Sequence, residues 1–392
     1  MPEFFPFSLI DFTSKKRYNT PYVCKNKERM TAMSQYHISR IHPSSPRELR
    51  QMEALLEKEG IRRDQNLDYS AGLFDDDYEL AATGSCFKNT LRCMAVDSAH
   101  QGEGLMNIIV SHLVDYEYQR GIMELFLYTK CSTARFFSDL GFYEIARVDD
   151  TLVFMENRKT GFSDYLKHLK AETEAAPAFQ AASFRDRPLV SGAIVMNANP
   201  FTLGHQYLVE TAASQCDLLH VFVVSEDVSL VPFSLRRELV LAGCAHLDNV
   251  ICHDTGSYMI SNATFPSYFL KDEETVIRSH ARLDIQIFTK IASALHISMR
   301  FAGEEPFSQV TGIYNQLMKE HLEYEGIRCH IIPRKANKQG IISASLVRRM
   351  IQEGDMESLK KAVPESTYRF FTSPQASPVI QAIKEAEEVI HY

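Results

Sequence analysis

Two short segments of this chain combine hydroxyls, an imidazole, a glycine and a guanidinium in an order that suits phosphate chemistry. The first is Asn199-Pro200-Phe201-Thr202-Leu203-Gly204-His205, directly after the apolar run Leu189 to Met196. The second, about 140 residues later, is Ile342-Ser343-Ala344-Ser345-Leu346-Val347-Arg348. Each reads as a helix start, where unpaired amides and the positive end of the helix dipole favour phosphate oxygens. In the first, Pro200 stops a strand and Gly204 lets a phosphate come near the backbone. His205 falls on the first turn of the helix that continues through Gln206 to Glu210. In the second, Ser343 and Ser345 can cap amides or bind phosphate, and Arg348 with Arg349 can neutralise charge that builds up there. Either segment alone suits an ordinary capped helix. The pair in this order, each beside a strand-like run, reads as two halves of one nucleotide site.

Those residues need strands to carry them. The run Leu189 to Met196 is short, branched and uninterrupted, as expected of a strand buried on both faces. Beyond it the pattern alternates. Strands are expected at Leu218 to Val224, Val250 to His253, Ser298 to Ala302 and Ile327 to Ile332, with helices at Ser234 to Gly243, near Ala281 to Leu295 and at Gly312 to Glu323. Such alternation predicts an α/β unit with a parallel sheet and helices on both faces. Ligands of such sheets bind beyond the carboxyl ends of the strands, where both phosphate motifs fall.

The pair of motifs resembles the Thr/His-x-Gly-His nucleotidyltransferase superfamily, a Rossmann-like α/β fold, and its Thr-first form is similar to the phosphopantetheine adenylyltransferases. That resemblance implies that Thr202 and His205 bind and stabilise the phosphates of ATP during attack at the α-phosphorus, with Ser343, Ser345 and Arg348 closing over the triphosphate. The work is positioning and charge stabilisation. Before Pro200 the chain departs from the adenylyltransferase pattern. Met196-Asn197-Ala198-Asn199 stands where that group shows Gly, a small hydroxyl residue, an aromatic and Asp, so the acceptor side of the pocket has changed.

Ala263 to Asp272, and Arg300 to Phe307 leading to Val310-Thr311 and Tyr314-Asn315, resemble the citrate lyase ligase family, and the similarity runs over nearly the whole chain after residue 35. It implies an AMP-forming acid-thiol ligase. ATP and acetate give acetyl adenylate and pyrophosphate; the thiol on the dephospho-CoA-derived arm of the citrate lyase acyl carrier subunit then takes the acetyl group, which activates citrate lyase. Magnesium is implied by the triphosphate rather than by any set of protein ligands. His205, Thr202 and Arg348 form the catalytic set on this reading, and Asn197, Asn199, Gly204, Gly303, Glu304, Lys335, Ser343 and Ser345 the ATP-binding set. Lys335 and Lys338 either meet the leaving pyrophosphate or face solvent, and Lys271 either meets the acetate carboxylate or lies on the surface. Arg236 and Arg237 read as ion-paired scaffold. Two other functions stay open: an adenylyltransferase of a phosphopantetheine-like acceptor, and an acetyl-CoA-dependent acetyltransferase.

The N-terminal half carries a separate signal. A strand at Thr90 to Val96 runs into Asp97-Ser98-Ala99-His100-Gln101-Gly102-Glu103-Gly104-Leu105 and then a periodic helix from Met106 to Glu117. Strand, Gly-rich turn and helix make a cradle of amides for a pyrophosphate. The segment resembles the acyl-CoA loop of the GCN5-related acetyltransferases, whose pattern is met at Gln101 and Gly104 and missed at Met106. Ser132 to Glu144 is similar to the same family's later helix and Gly-Phe turn. The resemblance implies an acetyltransferase-like α+β fold, with Gln101, Gly102 and Gly104 as candidates to bind a CoA-like arm. Fold does not fix activity, so acetyl transfer, arm binding and a structural role all stand.

Composition bounds the rest. With 392 residues and 45% hydrophobic content the chain exceeds the ~250 to 300 residues beyond which one core usually splits. The expected division is an extension at 1–35, an acetyltransferase-like domain at 36–160, a linker at 161–187 and a nucleotidyltransferase-like domain at 188–392. A net charge of −8 argues against a nucleic-acid partner. No apolar stretch reaches the ~18 residues a membrane span needs, and the start lacks the form of a signal peptide. Eight cysteines without C-x-x-C or zinc spacing suit free thiols in a reducing cytoplasm, and the histidines show no metal-ligand spacing.

Overall fold

The computed structural model describes residues 36–259, 265, 268, 270, 272–304, 309–337 and 340–386. Lys271, Lys338, residues 1–35, most of the 263–272 segment and residues 305–307 lie outside the described residues.

The first unit runs β1 (His37–Arg40), α1 (Pro46–Lys58), β2 (Tyr69–Phe74), β3 (Leu80–Phe87), β4 (Thr90–Val96), α2 (Leu105–Gln119), β5 (Phe126–Thr129), α3 (Ala134–Asp139), β6 (Tyr143–Val148) and β7 (Leu152–Glu156). Its strands pair in the order β1-β2-β3-β4-β5-β7-β6, antiparallel except between β4 and β5. It is an α+β unit, a mostly antiparallel sheet with helices packed on it. β4 and β5 pair only at Thr90 with Phe126 and Leu91 with Leu127, near the starts of both strands. α2 buries Leu105, Ile109, Val110 and Leu113, a helical spacing that turns one face to the core.

Two helices follow within the 161–187 segment, α4 (Gly161–Ala175) and α5 (Pro177–Ser183). Pro177 sits at the start of α5, where no backbone donor is needed. The second unit then alternates: β8 (Ser191–Met196), α6 (Leu203–Ala213), β9 (Leu218–Val223), α7 (Phe233–Cys244), β10 (Val250–Asp254), α8 (Glu273–Leu295), β11 (Ile297–Gly303), α9 (Gln309–Tyr324) and β12 (Arg328–Ile332). Its sheet has the order β10-β9-β8-β11-β12, parallel throughout. Every residue of β9 is buried, as both-face coverage requires. A short hairpin, β13 (Ala336–Asn337) with β14 (Gly340–Ile341), leads into α10 (Ala344–Glu353), and three further helices, α11 (Met356–Lys360), α12 (Glu365–Phe371) and α13 (Ser377–Glu385), complete the described chain.

α8 starts earlier than the apolar spacing predicts. The Asp272 carboxylate caps it by accepting the Thr275 N–H at 2.8 Å, and Ser279 and His280, polar by type, are buried. The two units share a core. One hydrophobic cluster contains Phe126 and Phe154 of the first sheet together with Met259 and Phe288 of the second unit. Glu156, the last residue of β7, adds a polar tie. Its carboxylate accepts the Phe162 N–H at 2.7 Å, at the start of α4, and the Tyr258 hydroxyl at 3.0 Å, just after β10.

Candidate nucleotide site

β8 delivers the chain to Asn197 at the carboxyl edge of the sheet, and the next six residues turn it into α6. Thr202 is the N-cap of that helix and His205 its third residue. The Thr202 N–H donates to Nδ1 of His205 at 3.1 Å, Thr202 Oγ1 lies 3.0 Å from the same nitrogen, and the His205 N–H donates back to Oγ1 at 3.3 Å. A backbone amide can only donate, so Nδ1 is an acceptor and the neutral ring carries its proton on Nε2. Burial, and then the nearby Arg334 guanidinium, push the imidazolium down to about 4. At neutral pH His205 is therefore an uncharged donor on the first turn of a helix. Phe201, fully buried, stacks on it with ring centroids 5.8 Å apart.

The second motif abuts the first. A Cβ on Gly204 would stand 2.6 Å from the Ile342 carbonyl oxygen, so the missing side chain is what lets the two segments touch. The expectation gave Gly204 the approach of a phosphate; the neighbour found there is the backbone of the second motif. Ser343 caps α10 by accepting the Leu346 N–H at 3.1 Å. Arg348, buried, donates to the Asn199 carbonyl at 2.6 Å and to Ser345 Oγ at 3.3 Å. The starts of α6 and α10 thus meet, locked by a guanidinium that bridges one motif's backbone and the other's hydroxyl.

Asn197 and Asn199 hold the loop after β9. Asn197 Nδ2 donates to Ser229 Oγ at 3.0 Å, and Asn199 Oδ1 accepts the Val231 N–H at 3.0 Å. Arg236, wholly buried, donates to the carbonyls of Val231, Asn197, Val224 and Glu226 and to Asn197 Oδ1. It is scaffold, as expected, but its partners are carbonyls; Arg237 makes the ion pair, with Asp254 at 2.7 Å. On the other flank Gly303 ends β11 and the exposed Glu304 follows, its backbone carbonyl accepting Arg334 Nε at 2.7 Å. Lys335 Nζ lies 5.6 Å from the centre of the Tyr207 ring on α6, and the Lys335 carbonyl accepts the Ile342 N–H. Nothing in the sequence reading singled out Arg334. The cluster Pro333-Arg334-Lys335 just before the second motif was its available signal.

Gln101, Gly102 and Gly104 are exposed at the far end of β4, and Gly104 begins α2 with a φ of 78°. The Glu103 carboxylate between the two glycines accepts the Tyr36 hydroxyl at 2.7 Å, and that hydroxyl also meets His100 Nδ1 at 2.8 Å. The structure does not bring this turn to the His205 site. Among the described residues no His, Cys, Asp or Glu cluster could hold a metal ion, and no helix is long and apolar enough to cross a membrane.

Residues 191–371 match the model of the citrate lyase ligase C-terminal domain. The citrate (pro-3S)-lyase ligase of Klebsiella pneumoniae is 40% identical over 296 residues, 74% of this chain and 83% of the relative. Its counterpart from Escherichia coli (strain K12) is 37% identical over 300 residues, 75% and 82% of the two chains. A solved acetyltransferase of the GNAT family from Staphylococcus aureus Mu50 is similar over 31% of this chain and 97% of its own, with 15% identity and a TM-score of 0.27. Neither alternative function is favoured by the names these relatives carry. With such identity over most of both chains, the protein belongs to the citrate lyase ligase family.

Proposed function

We propose that this enzyme is an AMP-forming ligase that activates acetate with ATP and passes the acetyl group to the thiol on the citrate lyase acyl carrier. The observation that carries the reading is the locked, neutral His205 at one helix start, with a second capped helix start drawn against it through Gly204 and Ile342. Nε2 of His205 and the amides at the start of α6 would donate to phosphate oxygens, where charge gathers as the acetate oxygen bonds to the α-phosphorus and the bridging bond to pyrophosphate breaks. The hydroxyl of Thr202 serves by holding the ring. Ser343 and Ser345 at the start of α10, with Lys335 and Arg334 on the strand side, would face the departing pyrophosphate. Arg348 acts on both motifs at once through the Asn199 carbonyl and Ser345, while Asn197 and Asn199 shape the loop and Gly303 with Glu304 flanks the nucleoside. Magnesium enters with the triphosphate, and no residue set is assigned to it.

In the second step the carrier sulfur bonds to the acyl carbon, the acyl–oxygen bond to phosphate breaks, its electron pair leaves on AMP, and the thiol proton passes to solvent. Activation is required because carboxylate oxygen is a very poor leaving group and AMP a good one. ATP–pyrophosphate exchange with magnesium, with and without acetate, tests this. Exchange that needs acetate and disappears in His205→Ala is expected; exchange independent of acetate, or retained in the variant, overturns it.

A further inference from the structure

A cavity of about 480 Å³ lies in the seam between the two units, within the ~300 to 1,000 Å³ range of small-molecule sites. One wall is the turn between β3 and β4 with the starts of β4 and β5; the other is the pair of loops beyond the carboxyl ends of β9 and β10. It is a built seam. Lys88 Nζ donates to the Asp227 carbonyl at 2.9 Å, and Asn89 Nδ2 donates to Ser257 Oγ at 3.0 Å, each bond joining one unit to the other.

The seam adjoins the nucleotide loop through a single stretch of chain. Ser225 and Asp227 line the cavity, while Ser229 and Val231 of the same loop bond Asn197 and Asn199. Asp227 and Ser229 are two residues apart, a reach of at most ~7 Å. The Gly-rich turn lies at the other end of β4, a seven-residue strand roughly 20 Å long, and carries the Glu103 carboxylate where an anion would have to approach.

The lining selects against a polyphosphate. Lys88 and Arg92 on one wall face Glu226 and Asp227 on the other, and Arg92 is also held by Asp64 at 2.6 Å. With the charges cancelled, a multiply charged anion gains no net attraction. Phe87, Phe126, Phe154 and Met259 supply apolar contact, and Asn89 and Ser257 supply neutral hydrogen-bonding groups. That combination fits a slender chain of methylenes and amides.

We infer that the acyl-accepting thiol arm lies in this interdomain cavity, with its sulfur toward the loop of Asn197 and Asn199, rather than on the Gly102 and Gly104 turn. The inference rests on the ligase reading above, since it assigns the acceptor of the second half-reaction. Ser257→Trp fills the cavity from one unit and Ile122→Trp from the other. Dephospho-CoA serves as the thiol probe, with its acetylation followed by mass spectrometry and acetate-dependent exchange followed in parallel. In both variants the KM for the thiol should rise by about tenfold or more while exchange stays within about twofold of the parent. Exchange intact with an unchanged thiol KM in either variant overturns the cavity assignment. If the parent shows no acetate-dependent exchange, the ligase reading fails and calorimetry with dephospho-CoA decides the cavity: binding lost in Ser257→Trp sustains it, and binding unchanged overturns it. Should Ser257→Trp fail to fold, Ile122→Trp carries the same comparisons.

Discussion

Thr202 and His205 fix one another: the amide of Thr202 donates to Nδ1 of His205 at 3.1 Å, and the amide of His205 donates to the hydroxyl of Thr202 at 3.3 Å. A helix cap that needs only one side chain here uses two, and the second is an imidazole left with its Nε2 proton available. The same contact that starts the helix therefore sets the tautomer of the candidate catalytic residue.

His205→Ala should lower acetate-dependent exchange by roughly 100- to 1,000-fold, the usual cost of removing one donor aimed at developing charge. His205→Asn keeps an amide near the Nδ1 position and loses the Nε2 donor. It should retain the helix and melting temperature of the parent while losing nearly as much activity as Ala. Because the imidazolium is held down to about 4, the parent's exchange rate should show no inflection near pH 6.5 from this group. An inflection there that disappears in His205→Asn would refute the neutral-donor assignment.

Gly204→Ala sets a methyl against the Ile342 carbonyl, which as backbone has little room to yield. The start of α10 should move away from α6, at a cost of about 1–3 kcal/mol in urea unfolding, with exchange reduced as well. Gly312→Ala is the contrast. That exposed glycine on α9 has open space around it, so alanine should stabilise by up to about 1 kcal/mol.

Arg236 satisfies four carbonyls and the Asn197 side chain from a fully buried position. Arg236→Met fills a similar volume and leaves those acceptors orphaned, at about 1–3 kcal/mol for each that water cannot reach. A loss of about 3 kcal/mol or more, with a raised KM for ATP as the loop after β9 slackens, is expected from chemical unfolding and exchange kinetics. Arg236→Lys has three donors against five acceptors and should recover only part of both. Stability unchanged in Arg236→Met would remove the scaffold role.

The strands of the second unit were legible because burial on both faces writes an uninterrupted apolar run, as in β8 and β9, and the motif residues because helix caps have local signatures. What the sequence could not display is contact between distant segments. Gly204 has its reason in Ile342, far along the chain, and Arg348 in the carbonyl of Asn199. Arg236 reads from sequence as an ion-paired scaffold residue, whereas its partners are carbonyls, which every residue owns and none advertises. The early start of α8 was hidden because Ser279 and His280 interrupt the apolar period while being buried. The cavity between the units has no motif at all, since its walls come from turns of both halves.

Acid should destabilise the fold through buried histidines. His220 is wholly buried, 3.0 Å from His253 through Nδ1 and Nε2, and His253 in turn meets the Glu172 carboxylate at 3.1 Å on α4. Burial first, and then the neighbouring His253, hold the His220 imidazolium well below its ordinary value of 6.5. A histidine with a depressed folded pKa contributes stability that is present above the unfolded value and is lost as pH falls below about 6.5, at up to ~1.4 kcal/mol per pH unit. His205 acts in the same direction down to about 4. Glu172, lowered mainly by its hydrogen bond to His253, has the same sign at more acid pH. Urea midpoints should therefore fall steadily from pH 7 to pH 5. Asp97, lowered mainly by its hydrogen bond to Lys58, adds slope of the same sign at more acid pH, whereas Glu117 and Glu156, raised mainly by burial, add slope of the opposite sign, so the decisive measurement is the difference between the parent and His220→Phe. The variant should lose close to one proton's worth of slope between pH 6.5 and 5, whatever its stability at pH 7. Parallel curves for the two proteins would mean that His220 takes up a proton equally in the folded and unfolded chains.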